Sequence, residues 1–81
     1  MYFIYILYSQ KRDRYYVGYT SDVNSRIVKH NSGATTSTKS GIPWSLVYIE
    51  EYQEKSEAIR REKAIKKKKS RKYIEDLIRN G

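Results

Sequence analysis

At 81 residues the chain is long enough for one folded unit and too short for two, and a chain of this size buries only a little over ~60% of its unfolded surface. The absence of cysteine excludes a disulfide framework, a thiolate metal site and a thiol nucleophile, and no apolar stretch reaches the ~18 residues of a membrane span. Lys and Arg number 17 against 9 Asp and Glu, and the resulting net charge of +8 points to a polyanionic partner. Neutralising ~6 phosphates makes affinity fall by roughly three orders of magnitude from about 50 to 200 mM salt. An anionic membrane fits less well, because the basic C-terminal part lacks a bulky apolar face. The run Tyr2 to Tyr8 is too short and too rich in tyrosine for a signal-peptide core, so the expected location is cytoplasmic, with residues 1–81 forming one domain.

Tyr2-Phe3-Ile4-Tyr5-Ile6-Leu7-Tyr8 is aromatic and branched, Gln10 to Arg14 interrupts it, and Tyr15 to Tyr19 resumes it, which predicts a β-hairpin. A loop of even length centred on Arg12-Asp13 sets position 5 opposite about position 20 and position 16 opposite position 9. Odd positions of the first strand then share a face with even positions of the second, and Tyr5 and Tyr16 project from the same side. Thr20 or Ser21 caps a helix starting near Asp22, with the acid in the first turn and Asn31-Ser32-Gly33 as its stop. On this helix Val23 and Ile27 form an inward stripe, and Arg26 and His30 form a second i, i+4 pair on an adjoining face.

Ala34 to Gly41, rich in Ser and Thr, reads as a mobile loop able to close over an extended ligand. Trp44 to Tyr52 is a third strand expected against the hairpin. Ser56 offers the next N-cap, with Glu57 in the first turn and Ile59 and Ile65 as the apolar contacts of a helix reaching Lys69; Glu62 stands between them. A last helix runs from about Arg71 to Arg79, with Ile74, Leu77 and Ile78 at helical spacing. The fold class is therefore α+β, a three-stranded antiparallel sheet flanked by three helices in the order β-β-α-β-α-α.

Hydrolysis of a phosphodiester requires the removal of on the order of 20 kcal/mol from the barrier, and one proton-transfer group is worth only ~10²- to 10⁴-fold. A cation against the phosphate and a divalent metal commonly supply more. Arg26 can fork onto phosphate oxygens. Glu62, on a helix crowded with Arg60, Arg61, Lys63 and Lys66, is a hard oxygen ligand suited to a single Mg²⁺ or Mn²⁺ held largely by waters and substrate. The competing role for Glu62 is an i, i+4 ion pair with Lys66, and for His30 a favourable place near the end of a helix dipole. Lys66 to Lys72, including Lys67, Arg71 and Lys72, is the densest charge and suits phosphate contacts without base reading.

Phe3-Ile4-Tyr5, Tyr16-Val17-Gly18, Arg26 with His30, and Glu62 within Glu57-Ala58-Ile59-Arg60-Arg61-Glu62-Lys63-Ala64-Ile65-Lys66 together resemble the GIY-YIG nuclease superfamily over nearly the whole chain. The resemblance is to its small single-domain bacterial members. Phe3 stands where the first motif has glycine, and Val17 where the second has isoleucine. The resemblance implies a metal-dependent endonuclease acting on DNA in repair or processing, selecting branched, flapped or nicked structures or sequence only weakly. It implies that Tyr5 and Tyr16 are the motif tyrosines, one of them helping to deprotonate the attacking water. Arg26 would stabilise the scissile phosphate, His30 would assist proton transfer and Glu62 would hold the metal. Asn80 resembles an asparagine near the end of the family pattern that supports the site, and with Lys66, Lys67, Arg71 and Lys72 it is the expected substrate-binding set. The alternative is a nucleic-acid-binding module of the same fold without catalysis.

Overall fold

A strand whose alternate side chains are apolar on both sides has to be covered on both faces, and the first strand is of this kind. In the computed structural model, which describes all 81 residues, β1 (Tyr2–Ser9) is the middle strand. It is flanked antiparallel by β2 (Arg14–Thr20) and β3 (Trp44–Tyr52) in the order β2-β1-β3. Ile4, Tyr5, Ile6 and Leu7 are each at most 1% exposed. The order β-β-α-β-α-α is as expected, completed by α1 (Val23–Asn31), α2 (Lys55–Lys68) and α3 (Arg71–Asn80). No helix is long and apolar enough to cross a membrane.

Two cores result. On one face Ile4, Ile6 and Val17 meet Ile65 of α2, with Tyr73, Ile74, Leu77 and Ile78 of α3 packed around them. On the other, Tyr5, Leu7 and Trp44 form the buried centre, joined by Tyr16, Ile27 and Ile42. A β-bulge between Ile6 and Leu7 leaves Val47 without a partner on β1 and turns it onto the Ile4 side.

Several local features differ from the sequence expectation. The hairpin turn is Gln10 to Asp13, so Tyr5 pairs with Gly18 and Tyr16 with Leu7, two positions from the expected register. Asp13 takes a positive φ of 53°, and its side chain accepts bonds from Tyr8 and Arg71, which fixes the turn one residue earlier. Face parity is unaffected by a shift of two. Asp22 is itself the N-cap of α1, accepting from the Ser25 amide, rather than a residue of the first turn. Glu54, not Ser56, caps α2, in a capping box with Glu57. Along α2 the buried residues are Ala58 and Ile65, with Ile59 only partly covered. Glu62 is four residues after Ala58 and three before Ile65, on the inward stripe itself.

The largest departure is at Ala34 to Gly41. Thr36–Gly41 is a 3-10 helix, and Thr38 and Gly41 are buried. Composition suggested mobility, but the Thr38 carbonyl accepts the Trp44 indole N–H at 2.7 Å and Gly41 packs directly beneath the Trp44 ring. The Asn31 side chain holds Trp44 from the other end, accepting its amide at 2.6 Å and donating to its carbonyl at 3.1 Å. The segment is therefore built into the second core rather than free to close over a ligand.

On the first face a polar cluster joins three elements. Arg61 forks onto Glu50 with bonds of 2.9 and 3.0 Å and donates to the Tyr73 hydroxyl at 3.1 Å, while Tyr48 and Tyr52 also donate to Glu50. Burial pushes the Glu50 carboxyl up, but Arg61 and the two hydroxyls outweigh it and hold the group below its ordinary range. Because Arg61 immediately precedes Glu62, this fork fixes the rotation of α2 about its axis.

Gly18 is a point of very close packing against the Tyr5 ring on the second face. A Cβ there would lie 2.6 Å from the Tyr5 hydroxyl oxygen. Gly18→Ala is expected to destabilise the fold by about 1–3 kcal/mol through overpacking, read as a lower urea midpoint at unchanged slope. An unchanged midpoint would show that the Tyr5 ring is free to move.

Candidate active site

Tyr5 and Tyr16 lie on one face of the sheet with ring centroids 6.3 Å apart. Tyr5 is 1% exposed, whereas Tyr16 is half-buried and reaches the surface. His30, near the end of α1, is buried between them: its Nε2 is 3.1 Å from the Tyr5 hydroxyl and its ring centroid 4.8 Å from that of Tyr16. Its Nδ1 is 2.9 Å from the Thr38 hydroxyl. Arg26, one turn earlier on α1, is half-buried.

Electrostatics bring in the remaining groups. The Tyr5 phenol is pushed up to about 12 by burial first and by Tyr16 second; Arg26 acts against the rise and Glu62 adds to it. Both Arg26 and Glu62 therefore act on this one hydroxyl from different helices. His30 is lowered by burial, and by Arg26 and Lys29 beyond that, so its ring is neutral at neutral pH. The Glu62 side chain is 17% exposed and 3.3 Å from Lys66 Nζ, which itself lies 5.8 Å from the Tyr16 ring centroid. The i, i+4 pair and the position beside the tyrosines are thus both present. Phe3 is half-buried on the Tyr5 face, opposite Thr20.

No group of three or more His, Asp or Glu side chains stands together, so the chain builds no cage of its own for a metal. A lone, mostly buried carboxylate fits Mg²⁺ or Mn²⁺, which keep several waters and take substrate oxygens for their other positions.

The basic run is divided in its use. Lys66, Lys67 and Lys72 are exposed. Arg71 is already engaged, donating to the Asp13 carboxylate at 2.6 Å, the Asp13 carbonyl at 2.9 Å and Glu75 at 3.0 Å, and lying over the Tyr15 ring. A groove of about 420 Å³ lies between β2 and the α2–α3 junction, with Tyr15, Tyr16 and Ile65 on its wall and Lys66, Lys69 and Arg71 along it. Asn80 stands apart. It shares a depression with Tyr48, Tyr73 and Asp76, among residues of the first face. Thr38, Trp44 and Asn31 contribute to the site without having been singled out. The one available signal was a lone tryptophan placed just after a Ser/Thr-rich segment, since a buried indole N–H needs an acceptor.

Residues 1–74 match the family described as the GIY-YIG catalytic domain. UPF0213 proteins of Staphylococcus epidermidis and Staphylococcus aureus are each 52% identical to the chain over 52 residues, which is 63% of this chain and 63% of theirs. The chain thus spans 63% of the length of these curated relatives. Among solved structures, the solution NMR structure of a UPF0213 protein from Bacillus halodurans is 39% identical, covers 96% of this chain and 83% of that one, and superposes with a TM-score of 0.58.

The lowered His30 has a consequence for stability. From pH 6.5, its ordinary value, downward, the unfolded chain binds a proton that the folded chain refuses, until the lower folded value is passed. The unfolding free energy is expected to fall across that window, by at most about 1.4 kcal/mol per pH unit. Urea unfolding from pH 8 to 5 should show this slope in the wild type and not in His30→Gln. Parallel curves for the two proteins would refute the assignment.

Proposed function

The chain belongs to the GIY-YIG catalytic-domain family, and from that premise we propose that it is a metal-dependent endonuclease that hydrolyses DNA phosphodiester bonds. The observation that carries the proposal is the Tyr5–His30 hydrogen bond, buried beneath Tyr16, with the charges of Arg26 and Glu62 both acting on the Tyr5 hydroxyl. Tyr5, Tyr16 and His30 pack together there, and the charges of Arg26 and Glu62 reach the same hydroxyl from two helices, which supports the reading.

In this reading Arg26 pairs with the scissile phosphate and offsets the charge that grows on its oxygens. Tyr16, the member of the pair that meets solvent, orients the attacking water. The proton leaving that water enters the tyrosine–histidine group, where neutral His30 is the only imidazole in the chain. Tyr5, raised to about 12, keeps its proton at rest and acts as a hydrogen-bond donor. Glu62 would hold the divalent ion, which when bound supplies charge neutralisation at the phosphate. Lys66, Lys67 and Lys72 would contact flanking phosphates, with Arg71 contributing less because Asp13 and Glu75 already occupy it. Asn80, remote from the tyrosines, would act on bound DNA at a distance from the cut. Contacts of this kind read backbone rather than bases, which favours selection by DNA structure, such as a branch or nick, over sequence. A role in DNA repair or processing follows from that selectivity.

The test is incubation of labelled duplex, single-stranded and branched DNA with the protein, with and without Mg²⁺ or Mn²⁺. Cleavage should require metal. Glu62→Ala and Arg26→Ala should each lower kcat by about 10²- to 10³-fold, with folding verified by circular dichroism. Equal product from wild type and Glu62→Ala would sink the proposal. Salt-sensitive binding without any cleavage would leave a nucleic-acid-binding module in its place.

A further inference from the structure

Three hydroxyl and imidazole groups on the site face form a single file. The Tyr5 hydroxyl is 3.1 Å from His30 Nε2, His30 Nδ1 is 2.9 Å from Thr38 Oγ1, and Thr38 Oγ1 is 3.3 Å from the Thr35 carbonyl. Tyr5, His30 and Thr38 are each at most 1% exposed, so bulk water does not serve a group left without a partner. The arrangement of protons can then be settled by counting donors.

If the neutral ring carries its proton on Nδ1, that N–H donates to Thr38, the Thr38 hydroxyl donates to the Thr35 carbonyl, and the Tyr5 hydroxyl donates to the lone pair on Nε2. Every donor has an acceptor. If the proton is on Nε2 instead, the Thr38 hydroxyl can turn to donate to Nδ1, but the ring N–H points at the Tyr5 oxygen and the Tyr5 hydroxyl proton is left buried with no acceptor. A charged ring leaves the same hydroxyl stranded and adds a cation near Arg26 and Lys29. An orphaned buried donor costs its full desolvation.

We infer that Thr38 is a positioning residue that accepts the Nδ1–H of His30 and, together with the need of the buried Tyr5 hydroxyl for an acceptor, holds the ring as the Nδ1–H tautomer with its Nε2 lone pair available to Tyr5. Thr38 is placed for this by the 3-10 helix and by Trp44, whose indole N–H donates to the Thr38 carbonyl. The consequence for the reaction rests on the nuclease reading. As the Tyr5 oxygen receives a proton from the site, its own proton moves to Nε2. The imidazolium that forms then donates from Nε2 to Tyr5 and from Nδ1 to Thr38, so both N–H groups stay bonded and no atom is displaced. The file ends on a backbone carbonyl that cannot carry a proton further, so the proton leaves by the way it came.

The experiment uses the full chain, uniformly labelled with ¹⁵N, and long-range ¹H–¹⁵N correlation of the imidazole at pH ~7.5. The chain has one histidine, so one ring is read without assignment. The wild type and Thr38→Ser should show a protonated Nδ1 and an unprotonated Nε2. In Thr38→Val, which removes the hydroxyl at nearly constant volume, the ratio of Nδ1–H to Nε2–H should fall about fivefold or more. A wild-type ring protonated on Nε2 or on both nitrogens would overturn the inference. So would a Thr38→Val ring with its proton unmoved. Where Thr38→Val does not fold, the wild-type spectrum still overturns the inference if the ring proton is on Nε2, and Thr38→Ala with the same readout replaces the valine variant. The readout needs no cleavage, so an inactive protein would count against the nuclease reading while leaving this measurement to judge Thr38.

Discussion

The structure depends on burial of β1 from both sides. Ile4 and Ile6 face α2 and α3, and Tyr5 and Leu7 face α1 and the 3-10 helix. A core this small cannot supply separate scaffolding for a site, so one strand does both tasks: its even positions hold the two C-terminal helices and its odd positions carry the site tyrosine. A shift of β1 by one residue would exchange these sets, placing Tyr5 among the aliphatic side chains of α3 and Ile4 beside His30. The register that stabilises the fold is therefore the register that assembles the candidate site.

α2 couples the two faces. Its inward stripe carries Ala58, Glu62 and Ile65, so a carboxylate occupies a place where an apolar residue would usually stand. The neighbouring Arg61 is anchored to Glu50 and Tyr73. The helix is thus held by the apolar pair above and below Glu62 and by an ion pair beside it, and these contacts set the direction of the carboxylate, whose one ionic partner is the exposed Lys66. A partly buried ion pair is weak evidence for stability. Its value here is geometric, because it leaves one rotation of α2 that satisfies Glu50.

Much of this was legible in the sequence, for reasons that can be given residue by residue. Strand parity survives an error of two in register, so the shared face of Tyr5 and Tyr16 could be read although the turn was misplaced by one residue. The third strand, Trp44–Tyr52, was bounded by Pro43 and by the polar residues after Tyr52, and its limits were as read. The order of strands and helices follows from alternation and helical spacing, which are local. What composition could not reveal were contacts made by small polar residues at long range. Nothing within a few residues of Thr38 distinguishes it from Thr35 or Thr36; its role is set by Trp44 and His30, brought to it by the fold. Asp22 and Glu54 cap their helices although hydroxyl residues beside them suit the role as well by sequence, because the choice depends on backbone angles that several adjacent residues can adopt.

The 3-10 helix has a bearing on how this chain can vary. Surface connections rich in Ser, Thr and Gly usually tolerate insertions and deletions, since little is packed against them. Here both ends are pinned: Asn31 grips Trp44 across the segment, and Gly41 lies under the indole while Thr38 reaches His30. The number of residues between His30 and Trp44 is fixed by these contacts, as a spacer is fixed by what it must span. The stretch with the least distinctive composition in the protein is therefore one whose length has little freedom.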